Sequence, residues 1–182
     1  MKLHTKSNTH SNITALRTEA LALDYYERTG HPETMESLSW AAPNAYFGTT
    51  NLTPSSGEIK DAIDEIISIS VAQGHAVNNH VAYCQFYLKS ETEPAVHYDF
   101  STGFEPDFKP THVAMLWLHP VDNVVEFYID HMDFTSSGIT EEFTLSQNDL
   151  IIFDHTAAYR VKPATYGTDK NDSGLTLTVY MN

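Results

Sequence analysis

The sequence has 182 residues, of which 41% are hydrophobic and 12% aromatic, so it can bury a substantial core. Acidic residues outnumber basic residues by 24 to 10, which gives a formal net charge of −14. A surface this acidic repels phosphate backbones and anionic lipids, so neither a nucleic-acid nor a membrane partner is expected. Cys84 is the only cysteine, which excludes an intrachain disulfide and a zinc site built on thiolates.

No segment has the pattern of a secretory signal, and none contains the run of about 20 apolar residues that a spanning helix needs. We therefore expect a soluble, cytoplasmic protein. Its length is that of one domain. Within residues 1–182 we expect a helical N-terminal part, 1–75, packed on the sheet of a β-rich core, 76–182.

Two segments of the N-terminal part have helical periodicity. Apolar residues recur along one helix face in residues 14–28, and Gly30 follows where a helix would end. Isoleucines recur in the same way in residues 56–73, and Gly74 follows them. We predict a helix over each segment and an irregular connection over residues 31–55.

After residue 75 the hydrophobic period changes to two, which is typical of strands. Short segments rich in β-branched and aromatic residues follow one another with turn residues, and no helix, between them. This pattern favours a sandwich or barrel, and eight strands make a jelly roll the leading candidate. The predicted fold class is therefore mainly β with N-terminal helices, an eight-stranded jelly roll. The predicted strands are 80–89, 95–100, 111–119, 123–130, 140–145, 149–154, 157–163 and 174–181.

A histidine and an aspartate stand two residues apart at the end of the second predicted strand. Residues at positions i and i+2 of a strand point to the same face, so His97 and Asp99 can meet one metal ion. Two nitrogen ligands and one carboxylate, with open positions left for other ligands, suit non-haem Fe(II). The same spacing recurs at His131 and Asp133, which we interpret as a polar hairpin.

The motif at residues 97–99 is followed by DLIIFD at 149–154, AAYRVKP at 157–163 and GLTLTVYM at 174–181. In this order the sequence resembles the Fe(II)/2-oxoglutarate-dependent dioxygenase superfamily. Members commonly carry His-x-Asp, a Gly-Asp-Leu-Leu-Ile-Phe-like strand, a strand such as Leu-His-Arg-Val-x-Pro and a strand with Arg-x-Ser. The resemblance covers roughly residues 56–182. It implies a double-stranded β-helix, which is an eight-stranded jelly roll preceded by helices, and it implies Fe(II) and 2-oxoglutarate as cofactors.

One departure from this pattern concerns the second metal-binding histidine. Tyr159 stands where the resemblance places that residue, and His155 lies four residues earlier, at a turn. Two arrangements stay open. In one, His97, Asp99 and His155 hold the metal. In the other, Tyr159, which is our candidate catalytic residue, supplies a phenolate or leaves a site with two protein ligands.

The other departure concerns the residue that fixes the far carboxylate of 2-oxoglutarate. Gly174 stands at the position of the family's arginine. A buried carboxylate without a partner costs several kcal/mol, so another basic residue is needed. We take Lys89, at the end of the first predicted strand, and Arg160 as the candidate cofactor-binding residues.

The sequence therefore predicts a non-haem Fe(II)-dependent oxygenase coupled to 2-oxoglutarate, which hydroxylates or otherwise oxidises a C–H bond. Its substrate is a small molecule or a peptide side chain. The cupin class of enzymes is less favoured, because the chain contains no His-x-His. The alternative from another class is a binding jelly roll of the same descent that has lost the full metal and 2-oxoglutarate site. Both departures favour that alternative.

Overall fold

The structure, a computed structural model, describes residues 3–28, 46–87, 108–128, 139–162, 171 and 174–182. Within these ranges the chain forms two helices and ten strands. In chain order they are β1 (Leu3–Lys6), α1 (Ile13–Leu21), β2 (Tyr26–Arg28), β3 (Tyr46–Gly48), α2 (Glu58–Ala72), β4 (His80–Tyr87), β5 (His112–Trp117), β6 (Asn123–Tyr128), β7 (Ile139–Leu145), β8 (Leu150–Asp154), β9 (Ala158–Val161) and β10 (Gly174–Met181).

The strands form two antiparallel sheets. The larger sheet has the order β1-β8-β5-β10-β4-β3-β2, and the smaller has the order β7-β6-β9. From β5 onwards the chain passes from the larger sheet to the smaller and back, twice, which is the winding of a jelly roll. The prediction of a mainly β jelly roll with N-terminal helices is confirmed. The predicted strand 95–100 lies outside the described residues.

Strand β10 lies at the centre of the larger sheet and is buried along its whole length. It pairs with β4 on one side and with β5 on the other. Because side chains alternate along a strand, β10 supplies two cores at once. Its odd-numbered residues, from Leu175 to Met181, pack towards the helices, and Tyr180 packs between the two sheets.

The two helices cover the outer face of the larger sheet. α1 contributes Leu16 and Ala20 to the core there, and α2 contributes Ile59, Ile63 and Ile66. The isoleucines of α2 lie three and four residues apart, so one helix face buries all of them. Within the described ranges, neither helix combines the length and the apolar character that crossing a bilayer requires.

A second core fills the space between the two sheets, and it is rich in aromatic residues. Both sheets contribute, together with Phe108, which precedes β5. The buried members are Val81, Tyr83, Phe108, Val113, Met115, Trp117, Val125, Phe127, Leu145, Ile151, Phe153, Ala157, Tyr159, Val161 and Tyr180. These side chains are the apolar lining of the space between the sheets in the described part of the chain.

The N-terminal part differs from its prediction, because it supplies strands as well as helices. The helix predicted over 14–28 ends at Leu21. The hydroxyl of Tyr25 then donates to the carbonyl of Ala20 at 2.8 Å, and Tyr26–Arg28 pair with β3. β3 itself lies inside the segment predicted as irregular, and β1 pairs with β8. Pairing with distant strands overrides the local helical pattern here. The helix predicted over 56–73 is confirmed as α2.

A glycine and a glutamate together form the start of α2. Gly57 has a φ of 102° and a ψ of 176°, a conformation that is essentially restricted to glycine. The side chain of Glu19 on α1 accepts a hydrogen bond from the backbone N–H of Glu58 at 2.7 Å. A Cβ atom on residue 57 would lie 2.6 Å from that carboxylate. The missing side chain therefore lets α1 cap α2.

We expect Gly57→Ala to destabilise the fold by about 2–4 kcal/mol, because it combines backbone strain with displacement of the Glu19 cap. Gly74→Ala is the matched control. Gly74 also has a positive φ, 86°, but an added Cβ there meets nothing within 4 Å. We expect this control to cost about 1 kcal/mol. Urea unfolding of both variants measures the difference, and equal losses would contradict the role of Glu19.

Candidate functional site

Of the predicted site residues, three are described and three are not. His97, Asp99 and Lys89 lie outside the described residues, as do His131 and Asp133. His155, Tyr159 and Arg160 lie at and after the end of β8. Among the described residues alone, no group of three or more histidine, cysteine, aspartate or glutamate side chains is placed to hold a metal ion. A complete metal centre therefore depends on His97 and Asp99, which stay predictions.

His155 follows the last residue of β8 and is tied to the strand opposite. Its backbone N–H donates to the carbonyl of Thr111 at 3.1 Å, and its ring Nδ1 lies 3.0 Å from the same oxygen. Because a carbonyl oxygen can only accept, Nδ1 carries the proton in this contact. The neutral ring then has its lone pair on Nε2. Metal-binding histidines are commonly oriented by a carbonyl in this way.

A second histidine lies close to His155 on the helix side of the larger sheet. His112 begins β5, is 2% exposed, and stacks on His75 with ring centroids 4.4 Å apart. Its Nδ1 lies 3.0 Å from the hydroxyl of Thr111, and its Nε2 has no hydrogen-bond partner in the described part of the chain. Burial is the main cause that lowers the pKa of His112, to about 4. The neighbouring His75 and His155 lower this pKa further, whereas the carboxylate of Asp154 raises it in part. His112 is therefore neutral at pH 7.

Tyr159 lies between the two sheets, on the inward face of β9. It is 3% exposed and stands opposite Phe127 of β6 in the smaller sheet. Its ring centroid lies 4.9 Å from that of Phe153 and 6.2 Å from that of Phe127. The aromatic contacts fix the ring in the interior, so position 159 is a core position whichever residue completes the metal site.

Arg160 lies on the opposite face of β9 from Tyr159 and pairs with a buried carboxylate. Its Nε donates to Glu126 at 2.5 Å, and Lys162 and the hydroxyl of Tyr128 contact the same carboxylate at 2.7 and 2.8 Å. Burial raises the pKa of Glu126, but the hydrogen bonds from Lys162, Arg160 and Tyr128 outweigh it and hold that pKa below its usual range. This placement gives no support to Arg160 as a co-substrate contact.

Three uncharged polar side chains line the inner face of the larger sheet, where sequence reasoning named no functional residue. Gln85 stands opposite Thr176, and Tyr83 stands opposite Thr178. The Thr178 hydroxyl donates to the Gln85 side-chain oxygen at 3.3 Å. Both threonines are fully buried, and Gln85 is 8% exposed. We call Gln85, Thr176 and Thr178 the neutral wall. The signal for it in the sequence is the alternation of threonine with apolar residues along β10.

The neutral wall adjoins the position where the resemblance places a basic anchor. Gly174 is two residues before Thr176 on the same strand face and stands opposite Tyr87. Trp117 of β5 stands opposite Thr176 on the other side. The basic side chains that the structure describes all lie outside the space between the sheets, and they are Lys6, Arg17, Lys60, Lys109, Arg160 and Lys162. The described interior therefore offers a carboxylate no cation.

Comparison with solved structures identifies the fold. The chain is similar to a prolyl-4-hydroxylase from Pseudomonas putida over 99% of its own length and 91% of that chain, with a TM-score of 0.60 and 12% identity. It is similar to a prolyl hydroxylase from Trichoplax adhaerens, solved with a peptide of hypoxia inducible factor, over 98% and 82% of the two chains, with a TM-score of 0.59 and 11% identity. It is also similar to HygX from Streptomyces hygroscopicus, solved with nickel and 2-oxoglutarate. That likeness covers 98% of this chain and 82% of that chain, with a TM-score of 0.56 and 11% identity.

The chain has the double-stranded β-helix fold of the 2-oxoglutarate-dependent oxygenases. No family model matches the sequence, and no curated relative does. At these identities the likeness establishes the fold alone, and the chemistry has to be argued from the chain's own residues.

The buried position of His112 predicts an acid-dependent loss of stability in the metal-free chain. Unfolded His112 takes up a proton below about pH 6.5, whereas the folded chain does so only near pH 4. The stability due to the neutral ring is therefore present above pH 6.5 and is lost as the pH falls to 4, by up to about 3 kcal/mol.

We expect His112→Phe to flatten the free energy of unfolding between pH 6.5 and 4, because phenylalanine keeps a ring against His75 but cannot titrate. Urea unfolding at half-unit pH steps measures this slope. His80→Phe, at the same end of the larger sheet, should keep the wild-type slope. An unchanged slope in His112→Phe would show that other groups cause the acid loss.

Proposed function

We propose that this chain is a non-haem Fe(II)-dependent oxygenase that oxidises a C–H bond of a small molecule or a peptide side chain, with a 2-oxo acid as co-substrate. The observation that carries the proposal is the fold, shared along nearly the whole chain with hydroxylases, together with a His-x-Asp motif at His97 and Asp99. The peptide bound to one of those hydroxylases supports a substrate of side-chain size.

The donor set suits iron. His97 and Asp99 would supply one nitrogen and one oxygen from one strand face, and His155 would supply a second nitrogen. The contact between Nδ1 of His155 and Thr111 supports this role, because it leaves Nε2 basic and orients the ring. Bound Fe(II) supplies the oxygen-activating chemistry, and the protein residues hold it and exclude water around it. The packing of Tyr159 between Phe127 and Phe153 favours His155 over Tyr159 as the third ligand.

The described interior does not fit 2-oxoglutarate itself. The far carboxylate of that molecule needs a cation when it is buried, and the wall next to Gly174 is built from an amide and two hydroxyls. Lys89 lies outside the described residues and stays a prediction as the co-substrate contact. The proposal of a metal-dependent oxygenase does not depend on it, because Lys89 is not a metal ligand.

A second candidate function is a binding protein that has kept the jelly roll and lost its chemistry. The observation that favours it is that Tyr159, which stands where the resemblance places the second metal-binding histidine, packs in an aromatic cluster. Fold alone does not separate the two functions, because jelly rolls host both enzymes and binding proteins. The two candidates differ in whether the chain binds iron.

We expect the metal-free chain, kept anaerobic, to bind one Fe(II) and to rise in melting temperature as iron is added, because iron binds only the folded state. His97→Ala and Asp99→Ala should lose binding. His155→Ala should lower the affinity for Fe(II) by about tenfold or more. Loss of a group that orients a metal ligand already costs about that much, and loss of the ligand itself should cost no less. Tyr159→Phe should leave the affinity unchanged. Calorimetry and the melting temperature give the two measurements.

His80→Ala is the matched control, since it removes an imidazole at the same end of the larger sheet without touching the proposed centre. If Tyr159→Phe loses iron and His155→Ala retains it, the third ligand is Tyr159. If the wild-type chain binds no iron, the oxygenase proposal is wrong and the binding function takes its place.

A further inference from the structure

One backbone carbonyl holds the ring of His155, and it belongs to Thr111, the residue before β5. The backbone N–H of His155 donates to this oxygen at 3.1 Å, and the ring Nδ1 lies 3.0 Å from it. Two contacts from one residue to one acceptor fix both its backbone and its ring. The direction in which Nε2 of His155 points therefore depends on what holds the Thr111 carbonyl in place.

Thr111 is tied to the end of β10 and to the first residue of β5. Its hydroxyl donates to the carbonyl of Met181 at 3.2 Å, and its backbone N–H donates to the same oxygen at 2.7 Å. A hydroxyl has one proton, so in the contact at 3.0 Å with Nδ1 of His112 the ring is the donor. The opposite tautomer would leave the buried Nε2–H of His112 without an acceptor in the described part of the chain.

These contacts lie on both sides of the peptide bond that carries the carbonyl. Before this bond, Thr111 is fixed to β10, and after it, the buried ring of His112 is fixed by its stacking on His75. The hydrogen bond between the Thr111 hydroxyl and His112 spans the peptide bond and so restrains rotation of the peptide plane. The hydroxyl therefore acts on His155 through the backbone of Thr111.

We infer that Thr111 is a positioning residue for the proposed metal centre and that its hydroxyl sets the direction of Nε2 of His155. This inference rests on the proposed function, in which His155 supplies the third protein ligand to Fe(II). Removing a group that orients a metal-binding histidine commonly lowers metal affinity by about tenfold or more. Threonine suits the position because one residue supplies both a carbonyl that accepts from His155 and a hydroxyl that restrains this carbonyl.

The test measures Fe(II) affinity by anaerobic calorimetry in variants that change the hydroxyl and keep the carbonyl. Thr111→Val keeps a branched side chain without the hydroxyl and should lower the affinity by about tenfold. Thr111→Ser restores the hydroxyl and should restore most of the affinity. Thr140→Val is the matched control and should bind as the wild type does, because the Thr140 hydroxyl on β7 also donates to a backbone carbonyl at 3.2 Å. An unchanged affinity in Thr111→Val, or an equal loss in Thr111→Ser, would overturn the inference.

A second measurement follows the ring of His155 in the metal-free chain. Nitrogen NMR at mildly alkaline pH distinguishes the two tautomers of a neutral histidine, and the signals of His155 are assigned by their loss in His155→Gln. We expect the Nδ1–H tautomer in the wild type and in Thr140→Val, and a mixture of both tautomers in Thr111→Val. A wild-type ring protonated on Nε2, or an unchanged ring in Thr111→Val, contradicts the positioning role.

A variant at the neighbouring residue keeps the test decisive if Thr111→Val does not fold. His112→Phe removes the ring N–H that holds the hydroxyl, so it should lower Fe(II) affinity by less than Thr111→Val does. If Thr111→Val does not fold, an unchanged affinity in His112→Phe overturns the inference. If the wild type and Thr111→Val bind iron equally well, the inference is wrong and the oxygenase proposal stands. If the wild type binds no iron, both are wrong.

Discussion

Strand β10 is the element on which the rest of the structure depends. It is hydrogen-bonded on both sides, to β4 and to β5, and every one of its eight residues is buried. One of its faces completes the core beneath α1 and α2, and the other completes the space between the two sheets. A change on either face is therefore felt by both sheet neighbours, which makes this strand the most constrained part of the described chain.

The helix-facing side of β10 carries leucine, valine and methionine, whereas the inward side carries glycine, two threonines and a tyrosine. Burying two hydroxyls at the centre of a sheet is costly unless they are hydrogen-bonded. Thr178 meets this requirement through the side chain of Gln85, and Thr176 lies 3.4 Å from the carbonyl of the same residue. Apolar residues of similar shape would pack there without needing partners.

Local patterns in the sequence predicted the helices and strands whose hydrophobic pattern matches the face that they bury. They missed the strands that form only by pairing with distant parts of the chain. α2 has an apolar stripe and a glycine at its end, and β10 alternates strictly, so both were predicted within one or two residues. β1 has only four residues and exists because it pairs with β8, more than 140 residues later. Tyr26–Arg28 extend a helical pattern and yet pair with β3. Such pairings carry no short-range signal.

The candidate site also has a part that the sequence pattern predicts and a part that only the fold reveals. The alternation expected of a strand predicts that His97 and Asp99 share one face, so the sequence pattern alone proposes a pair of ligands. The third ligand depends on how the turn after β8 packs, which no local pattern shows. The contact between His155 and Thr111 depends on the pairing of β5 with β8, which no short-range pattern predicts. The neutral wall required two strands to be aligned, because Gln85 and Thr178 are 93 residues apart.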